Sequence, residues 1–193
     1  MSVIVRNSIT GVRKEMGLLE RQTTDFLFTS SLDEHQPLML KFQYSGDAKD
    51  EVFVKVSNVV VDKVNFSSKT PKVDCYGFSP SAINILNLFR TSASNSYSQS
   101  TGKRVSVIQK NTSSSMEVQP GVFRFVLKKN WYRVVDKDGN SMKLSQDELQ
   151  KKLASGAIIN MEFHLNFLRT YVAPSKQESI IFHPIVRKIQ FIE

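Results

Sequence analysis

The sequence predicts a mainly β protein with two short helices, and three observations lead to this prediction. Runs of alternating apolar and polar residues recur along the chain, two clear helix starts are present, and strands and helices do not alternate regularly. Several predicted strands are long, half polar and interrupted by residues typical of bends, which favours a small barrel over a sandwich. We therefore predict one domain over residues 1–193, an OB-type closed or partly open β-barrel with additional strands.

The N-terminal half is predicted to begin with an arm over residues 1–22, a short strand followed by irregular chain. Alternating and β-branched runs then predict four strands, over residues 24–29, 38–44, 52–66 and 72–78. Asn58 interrupts the longest of these runs. We expect a bulge or bend there, as small barrels need where a strand turns a corner.

The first helix begins with Ser79 as N-cap and Pro80 at the first helical position, and it is predicted to end near Arg90. Residues 91–101 are Ser-rich and polar, which predicts a mobile loop. If this loop closes over a bound strand, we expect Tyr97 within it, and Lys103 and Arg104 directly after it, to contact the nucleic acid. The alternative is a passive linker.

The C-terminal half is predicted to be mostly strand, with one more helix. Ser145 and Glu148 form a capping-box pattern, and Gly156 follows where that helix should end. The last strand is expected to bend at Pro184. Strands are predicted over residues 105–108, 123–136, 157–171 and 180–192, with a tight turn over 136–140.

An unusual mixture of side chains lies within the predicted strand 123–136. Lys128, Lys129, Trp131, Tyr132 and Arg133 place three cations and two large aromatics within six residues. Cations neutralise phosphates and flat rings stack on unpaired bases, so the mixture is typical of a surface that receives a single-stranded nucleic acid. In a regular strand Lys129, Trp131 and Arg133 share one face, and Lys128 and Tyr132 the other. The alternative is an edge strand whose Trp covers the core and whose lysines keep the edge polar.

The charge of the chain is distributed unevenly. The net charge is +8, of which residues 101–193 carry +7. A basic surface in this half suggests a polyanionic partner, and a solvated basic surface without a partner is the alternative.

The single cysteine, Cys75, excludes an intramolecular disulfide and suggests a reducing intracellular compartment. No apolar run approaches the roughly 20 residues of a membrane helix, and residues 1–13 lack a signal-peptide core.

Motifs for catalysis do not occur in the sequence. The sequence contains neither of two Gly-rich phosphate-binding patterns, G-x-x-x-x-G-K-[ST] and G-x-G-x-x-G. The three histidines, His35, His164 and His183, lack metal-ligand spacing among themselves and with Cys75. We therefore predict no enzyme activity, no cofactor and no metal.

Residues 123–192, about 70 of the 193 residues, carry a characteristic order of segments. The most legible of them is V-V-D-K-D-G-N-S-M at 134–142, and a Phe/Lys-rich strand precedes it. It is followed by Ala154-Ser155-Gly156, an alternating strand with Phe167 and Tyr171 near its end, and a terminal R-K-I-Q-F-I strand. This order resembles the small single-stranded-DNA-binding proteins of podophages and some large DNA viruses. The resemblance implies an OB fold, sequence-tolerant binding of single-stranded DNA, and a role in viral DNA replication or recombination.

The resulting hypothesis is a non-enzymatic protein that binds single-stranded DNA through stacking and phosphate contacts. Trp131, Tyr132, Phe167 and Tyr171 are the stacking candidates; Lys128, Lys129, Arg133, Arg169, Arg187 and Lys188 are the phosphate candidates. Replication proteins and further copies of the chain are additional candidate partners, in the cytoplasm or nucleus of a host. The alternative from another class is a basic all-β virion or scaffold protein, which would assemble through strand edges.

Overall fold

The computed structural model describes residues 1–7, 9–17, 26–30, 39–44, 50–108, 121–172 and 177–193. Within these ranges the chain forms 14 strands and two helices, so the prediction of a mainly β fold with two helices is confirmed. The strands are β1 (Ser2–Asn7), β2 (Arg13–Gly17), β3 (Phe26–Ser30), β4 (Met39–Tyr44), β5 (Asp50–Asn65), β6 (Lys72–Tyr76), β7 (Ser106–Ile108), β8 (Phe123–Val126), β9 (Arg133–Val135), β10 (Ser141–Met142), β11 (Ile158–His164), β12 (Asn166–Val172), β13 (Gln177–Phe182) and β14 (Ile185–Phe191). The helices are α1 (Pro80–Thr101) and α2 (Gln146–Lys152).

Five of these strands close into a barrel. β5 pairs with β6, β6 with β8, β8 with β14, β14 with β11, and β11 pairs back to β5. The β8–β14 pair is parallel and the other four are antiparallel. The third and fifth barrel strands in chain order are thus the parallel neighbours, and α2 lies between the third and the fourth. This is the strand order of an OB-type barrel, so the predicted fold class is confirmed in its closed form.

The predicted N-terminal arm is instead a β-hairpin. β1 pairs with β2 on one side and with β5 of the barrel on the other. Val3 and Val5 lie in the core because β1 adds its apolar face to the barrel sheet. Within the predicted arm, residue 8 and residues 18–22 lie outside the described part of the chain.

A second sheet extends from one end of the barrel, in the order β3-β4-β12-β13-β7. Two predicted strands, 157–171 and 180–192, each contribute to both sheets. The first is divided at Leu165, between β11 and β12, and the second at His183 and Pro184, between β13 and β14. Pro184 has no N–H to donate to a ladder, but its carbonyl accepts a hydrogen bond from the Val126 N–H at 2.8 Å. The predicted bend at Pro184 is therefore confirmed as the point where the chain changes sheets.

The predicted irregularity at Asn58 is a β-bulge. Met161 lies opposite Val56 and Ile159 opposite Val59, so two residues of β5 face the single residue Asn160 of β11. Asn58 takes a left-handed conformation, with φ of 56°, and its N–H donates to Asn160 Oδ1 at 3.0 Å. Asn tolerates this conformation better than most residues do, which explains why Asn interrupts the β-branched run.

Helix α1 is twice as long as predicted, because it includes the Ser-rich residues 91–101 that were expected to form a loop. It starts with the predicted cap, in which Ser79 Oγ accepts from the Ala82 N–H at 3.2 Å, and it ends at Gly102 with φ of 70°. Its buried face consists of Ala82, Ile85, Leu86, Phe89, Ala93 and Tyr97. The last two continue the helical spacing through the polar stretch, and packing of that face stabilises a helix whose composition alone does not favour one.

Helix α2 begins as the sequence indicates. Ser145 Oγ accepts from the Glu148 N–H at 3.3 Å, and Glu148 Oε2 accepts from the Ser145 N–H at 2.7 Å. The predicted capping box is thus confirmed, although the helix ends at Lys152, before Gly156. Leu149 and Leu153 are buried in the core of the barrel, so this short helix is held mainly by packing.

Candidate nucleic-acid interface

The stretch with the unusual mixture of cations and aromatics is a turn rather than the middle of a strand. β8 ends at Val126 and β9 begins at Arg133, so the prediction of one continuous strand over 123–136 is wrong. The Trp131 N–H donates to the Lys128 carbonyl at 3.0 Å, and Asn130 has φ of 63°. The dipeptide of Asn130 and Trp131 directly after two lysines was the signal for this turn, since Asn accepts the left-handed conformation that a tight turn requires.

The turn exposes Trp131 between two cations. Trp131 is 42% exposed, Lys128 Nζ lies 3.5 Å from its ring centroid, and Arg187 Cζ lies 5.4 Å from it. Each contact is a cation–π interaction, worth about 0.5–1 kcal/mol at an exposed site. The predicted grouping of Lys129 with Trp131 is therefore wrong, because the turn brings Lys128 to the indole instead.

Trp131 lies at the side of a groove of about 510 Å³, which we call the Trp131 groove. The turn and β9 form one side, the β1–β2 hairpin forms another, and outward-facing side chains of the barrel form the floor. The groove is lined by Arg6, Gly11, Arg13, Phe53, Asn130, Trp131, Tyr132, Arg133, Glu162 and Arg187. Four of these ten residues are arginines and one is a carboxylate, so the groove is strongly cationic.

Arg187 reaches the groove because β14 carries a bulge. Glu162 pairs with Lys188 and Phe163 with Val186, so Arg187 is an extra residue with no partner opposite it on β11. On its other side β14 runs parallel to β9, which places Lys188 beside Arg133. The bulge thereby brings cations of β14 next to the turn.

Glu162 neutralises part of the positive charge. Its side chain is 11% exposed; Oε2 accepts from Arg13 Nη2 at 2.8 Å, and Oε1 lies 3.7 Å from Lys188 Nζ. Among the described residues, Lys128, Arg133 and Arg187 have no ion pair with a carboxylate. Two cations are thus held by Glu162, while three around Trp131 are available to an anion.

The floor beside Glu162 is aromatic. The Phe53 ring lies 4.3 Å from the His164 ring, and Arg13 Cζ lies 5.9 Å from the Phe53 centroid. His164 Nδ1 is 3.2 Å from the Val52 carbonyl oxygen, and burial lowers the pKa of the ring. His164 is therefore neutral near pH 7 and supports the floor.

Sequence reasoning missed the contribution of the N-terminal hairpin. Arg6 and Arg13 lie directly opposite each other in the β1–β2 pair. Like charges in that position are destabilising unless anions compensate them, and here Glu51 lies 3.6 Å from Arg6 and Glu162 binds Arg13. The only signal in the sequence was an arginine at each end of a short turn-like segment.

Three of the remaining predicted contacts, Tyr97, Lys103 and Arg104, lie away from the groove. Tyr97 is 1% exposed and packs in the core on α1, which corrects its prediction as a contact on a loop. Lys103 and Arg104 are exposed after the end of α1 and do not line the groove. Phe167, Arg169 and Tyr171 lie on β12 of the second sheet, and their side chains are outside the described part of the structure.

The β6–β8 face of the barrel, where OB folds commonly bind oligonucleotides, is closed at its centre. Asp74 is 2% exposed and accepts hydrogen bonds from Arg124 Nε and Nη2, both at 2.6 Å. Lys72 is also buried, and burial lowers its pKa. The Trp131 groove, on other strands of the barrel, is by contrast open and cationic.

The described residues contain neither a metal-binding cluster nor a membrane-spanning helix. No group of three or more His, Cys, Asp or Glu side chains there has the arrangement of a metal site. In the same part of the chain, no helix has the length and apolar character needed to span a bilayer.

Fold and site together define an OB-type barrel protein with a cationic, aromatic groove. No protein-family model matches the chain, and neither does any curated protein. Its structure is similar to that of the single-stranded DNA-binding protein from bacteriophage Enc34, with a TM-score of 0.49 and 10% identity over 87% of this chain and 89% of that one. The same phage protein in complex with ssDNA gives a TM-score of 0.46 at 10% identity, over 86% and 94% of the two chains. For gp2.5, the single-stranded DNA-binding protein encoded by bacteriophage T7, the TM-score is 0.44 at 9% identity, over 73% and 86%. All three of these similar structures are of phage single-stranded DNA-binding proteins.

Proposed function

We propose that this protein binds single-stranded DNA in the Trp131 groove, without sequence preference and without catalysis. One observation carries the proposal: an exposed indole lies between Lys128 and Arg187, and neither cation has a carboxylate partner among the described residues. An indole offers a stacking surface to any unpaired base, and adjacent cations neutralise the phosphates on either side of that base.

The arrangement favours single strands over duplexes for a geometric reason. In a duplex the faces of the bases are covered by their neighbours, so Trp131 has no free base to stack on. A duplex would still be attracted by Arg133 and Arg187, but only through its phosphates. The stacking contribution therefore provides the preference for single strands.

In biological terms, we place this binding in viral DNA replication or recombination. This role rests on the resemblance of residues 123–192 to viral and phage single-stranded-DNA-binding proteins. Replication proteins are the expected partners in that setting.

Replacing Trp131 tests the proposal most directly. We expect Trp131→Ala to weaken binding of a labelled oligo-dT by about 1–3 kcal/mol, roughly 5- to 150-fold in Kd. The loss should be similar at low and high salt, because stacking releases few counterions. Fluorescence anisotropy over a series of NaCl concentrations measures both quantities.

Tyr76 offers a matched control. It is an aromatic side chain on β6 that is 43% exposed, and it does not line the Trp131 groove. Tyr76→Ala should leave affinity within about twofold of the wild type. Unchanged binding by a folded Trp131→Ala protein would refute the proposed site, and duplex binding as tight as single-strand binding would refute the function.

Lys128 tests the electrostatic part of the mechanism. Lys128→Gln removes one charge and should reduce the slope of log K against log [salt] by about 0.7, the value for one phosphate contact of a single strand. It should also weaken binding slightly at high salt, because Lys128 holds the indole in place. An unchanged slope would mean that Lys128 positions Trp131 without contacting phosphate.

A further inference from the structure

A second groove lies on the other side of the turn that carries Trp131. It has a volume of about 620 Å³ and runs between the segment 66–71, the turn, the β9–β10 hairpin and the start of α2. We call it the Lys129 groove, because the turn directs Lys129 into it while Lys128 contacts Trp131.

The composition of the Lys129 groove suits a nucleotide. Its floor is apolar and includes the buried side chains of Phe66, Leu127, Val134 and Leu149. Its cations are Lys69, Lys129, Arg133 and Lys143, and no carboxylate is among its described lining residues. An apolar floor accepts the face of a base, and cations without carboxylate neighbours accept phosphates.

The two grooves are adjacent. Asn130, Tyr132 and Arg133 line both of them, so these three residues are what separates one from the other. Tyr132 is half-buried between the grooves, and Arg133 is exposed and without an ion pair among the described residues. A nucleic-acid strand that leaves the Trp131 groove across Arg133 would enter the Lys129 groove directly.

We propose that the Lys129 groove is a second subsite for single-stranded DNA, which takes the nucleotides following those bound at Trp131. This inference rests on the proposed function and extends it, because it assigns a role to Lys69, Lys129 and Lys143. A strand that fills both subsites crosses the turn and covers Tyr132. Short strands fill the Trp131 groove first, since it has the exposed indole.

Oligonucleotide length separates the two subsites. OB folds bind roughly 4–16 nucleotides each, so dT4 and dT16 bracket the expected range. The test variant is Lys69→Gln, Lys129→Gln and Lys143→Gln combined; all three side chains are exposed, so the fold should be retained. We expect the salt slope for dT16 to fall by about 2, at about 0.7 for each cation, and the affinity for dT4 to stay within about threefold of the wild type.

A control variant removes the same charge elsewhere. Three other lysines, Lys14, Lys137 and Lys151, are exposed and line neither groove. Their combined replacement by Gln should lower the affinities for dT4 and dT16 slightly and by the same factor. The proposal of a second subsite would be refuted if the test variant lost affinity equally for dT4 and dT16, or lost affinity for neither. Failure of the wild-type protein to bind either oligonucleotide would instead refute the proposed function itself.

Discussion

Glu162 is predicted to limit the affinity of the Trp131 groove for DNA. Its carboxylate accepts from Arg13 at 2.8 Å and lies 3.7 Å from Lys188, so it occupies the place that a phosphate would take between these two cations. A phosphate has to displace Glu162 or share its partners. Replacing Glu162 with Gln retains a hydrogen-bond acceptor for Arg13 but removes the competing charge.

The magnitude follows from the number of cations released. If Arg13 and Lys188 each gain a phosphate contact in Glu162→Gln, the salt slope becomes steeper by about 1.4, twice the value for one contact. Over one decade of salt, from 1 M to 0.1 M, this corresponds to about 25-fold tighter binding. We therefore expect an affinity gain of up to about 25-fold at 0.1 M salt, decreasing steadily as salt is added.

The assay is the same salt series with labelled oligo-dT, and Asp138 supplies the control. Asp138→Asn also raises the net charge by one, but Asp138 lies in the β9–β10 turn and lines neither groove. It should change affinity by less than about threefold. A weaker affinity or an unchanged slope in a folded Glu162→Gln protein would refute the reasoning, because it would mean that Glu162 orients Arg13 and Lys188 instead of competing with phosphate.

Two further predictions concern stability, and urea unfolding measures both. Asp74→Asn should destabilise the protein by about 3–5 kcal/mol, because it removes the charge of one partner of a buried ion pair; a loss below about 1 kcal/mol would contradict this. The pKa of His183 is lowered from 6.5 to about 4, mainly by burial and to a smaller extent by the positive charges of Lys72 and Lys128. The unfolded chain therefore takes up a proton more readily, and stability should decrease by about 3 kcal/mol as the pH falls from 6.5 to 4. His183→Gln should remove that share of the acid sensitivity, and an identical pH profile in the variant would disprove the assignment.

The structural features that the sequence predicted correctly are mostly local ones. The Ser145–Glu148 capping box needs only residues within one helical turn, and it is present as predicted. The bulge at Asn58 and the break at Pro184 depend on the conformational range and donor capacity of single residues. The barrel itself was predicted because the alternation of apolar and polar residues along several strands indicates which strand faces are buried.

Errors arose where packing outweighs local composition. The Ser-rich end of α1 is helical because Ala93 and Tyr97 pack in the core, and a count of polar residues does not reveal this. The strand predicted through Lys128 and Trp131 ends instead in a turn, and alternation was a poor guide once Asn130 took a positive φ.

By itself, the sequence determined the residue types that a nucleic-acid surface requires: a single Trp, nearby cations and an excess of positive charge in the C-terminal half. Only the tertiary structure decided which of them meet. Trp131 lies between Lys128 and Arg187, and Arg13 reaches the same groove, because strand pairing and a bulge in β14 bring distant segments together. Such contacts depend on register between strands far apart in the chain, and local spacing does not encode that register.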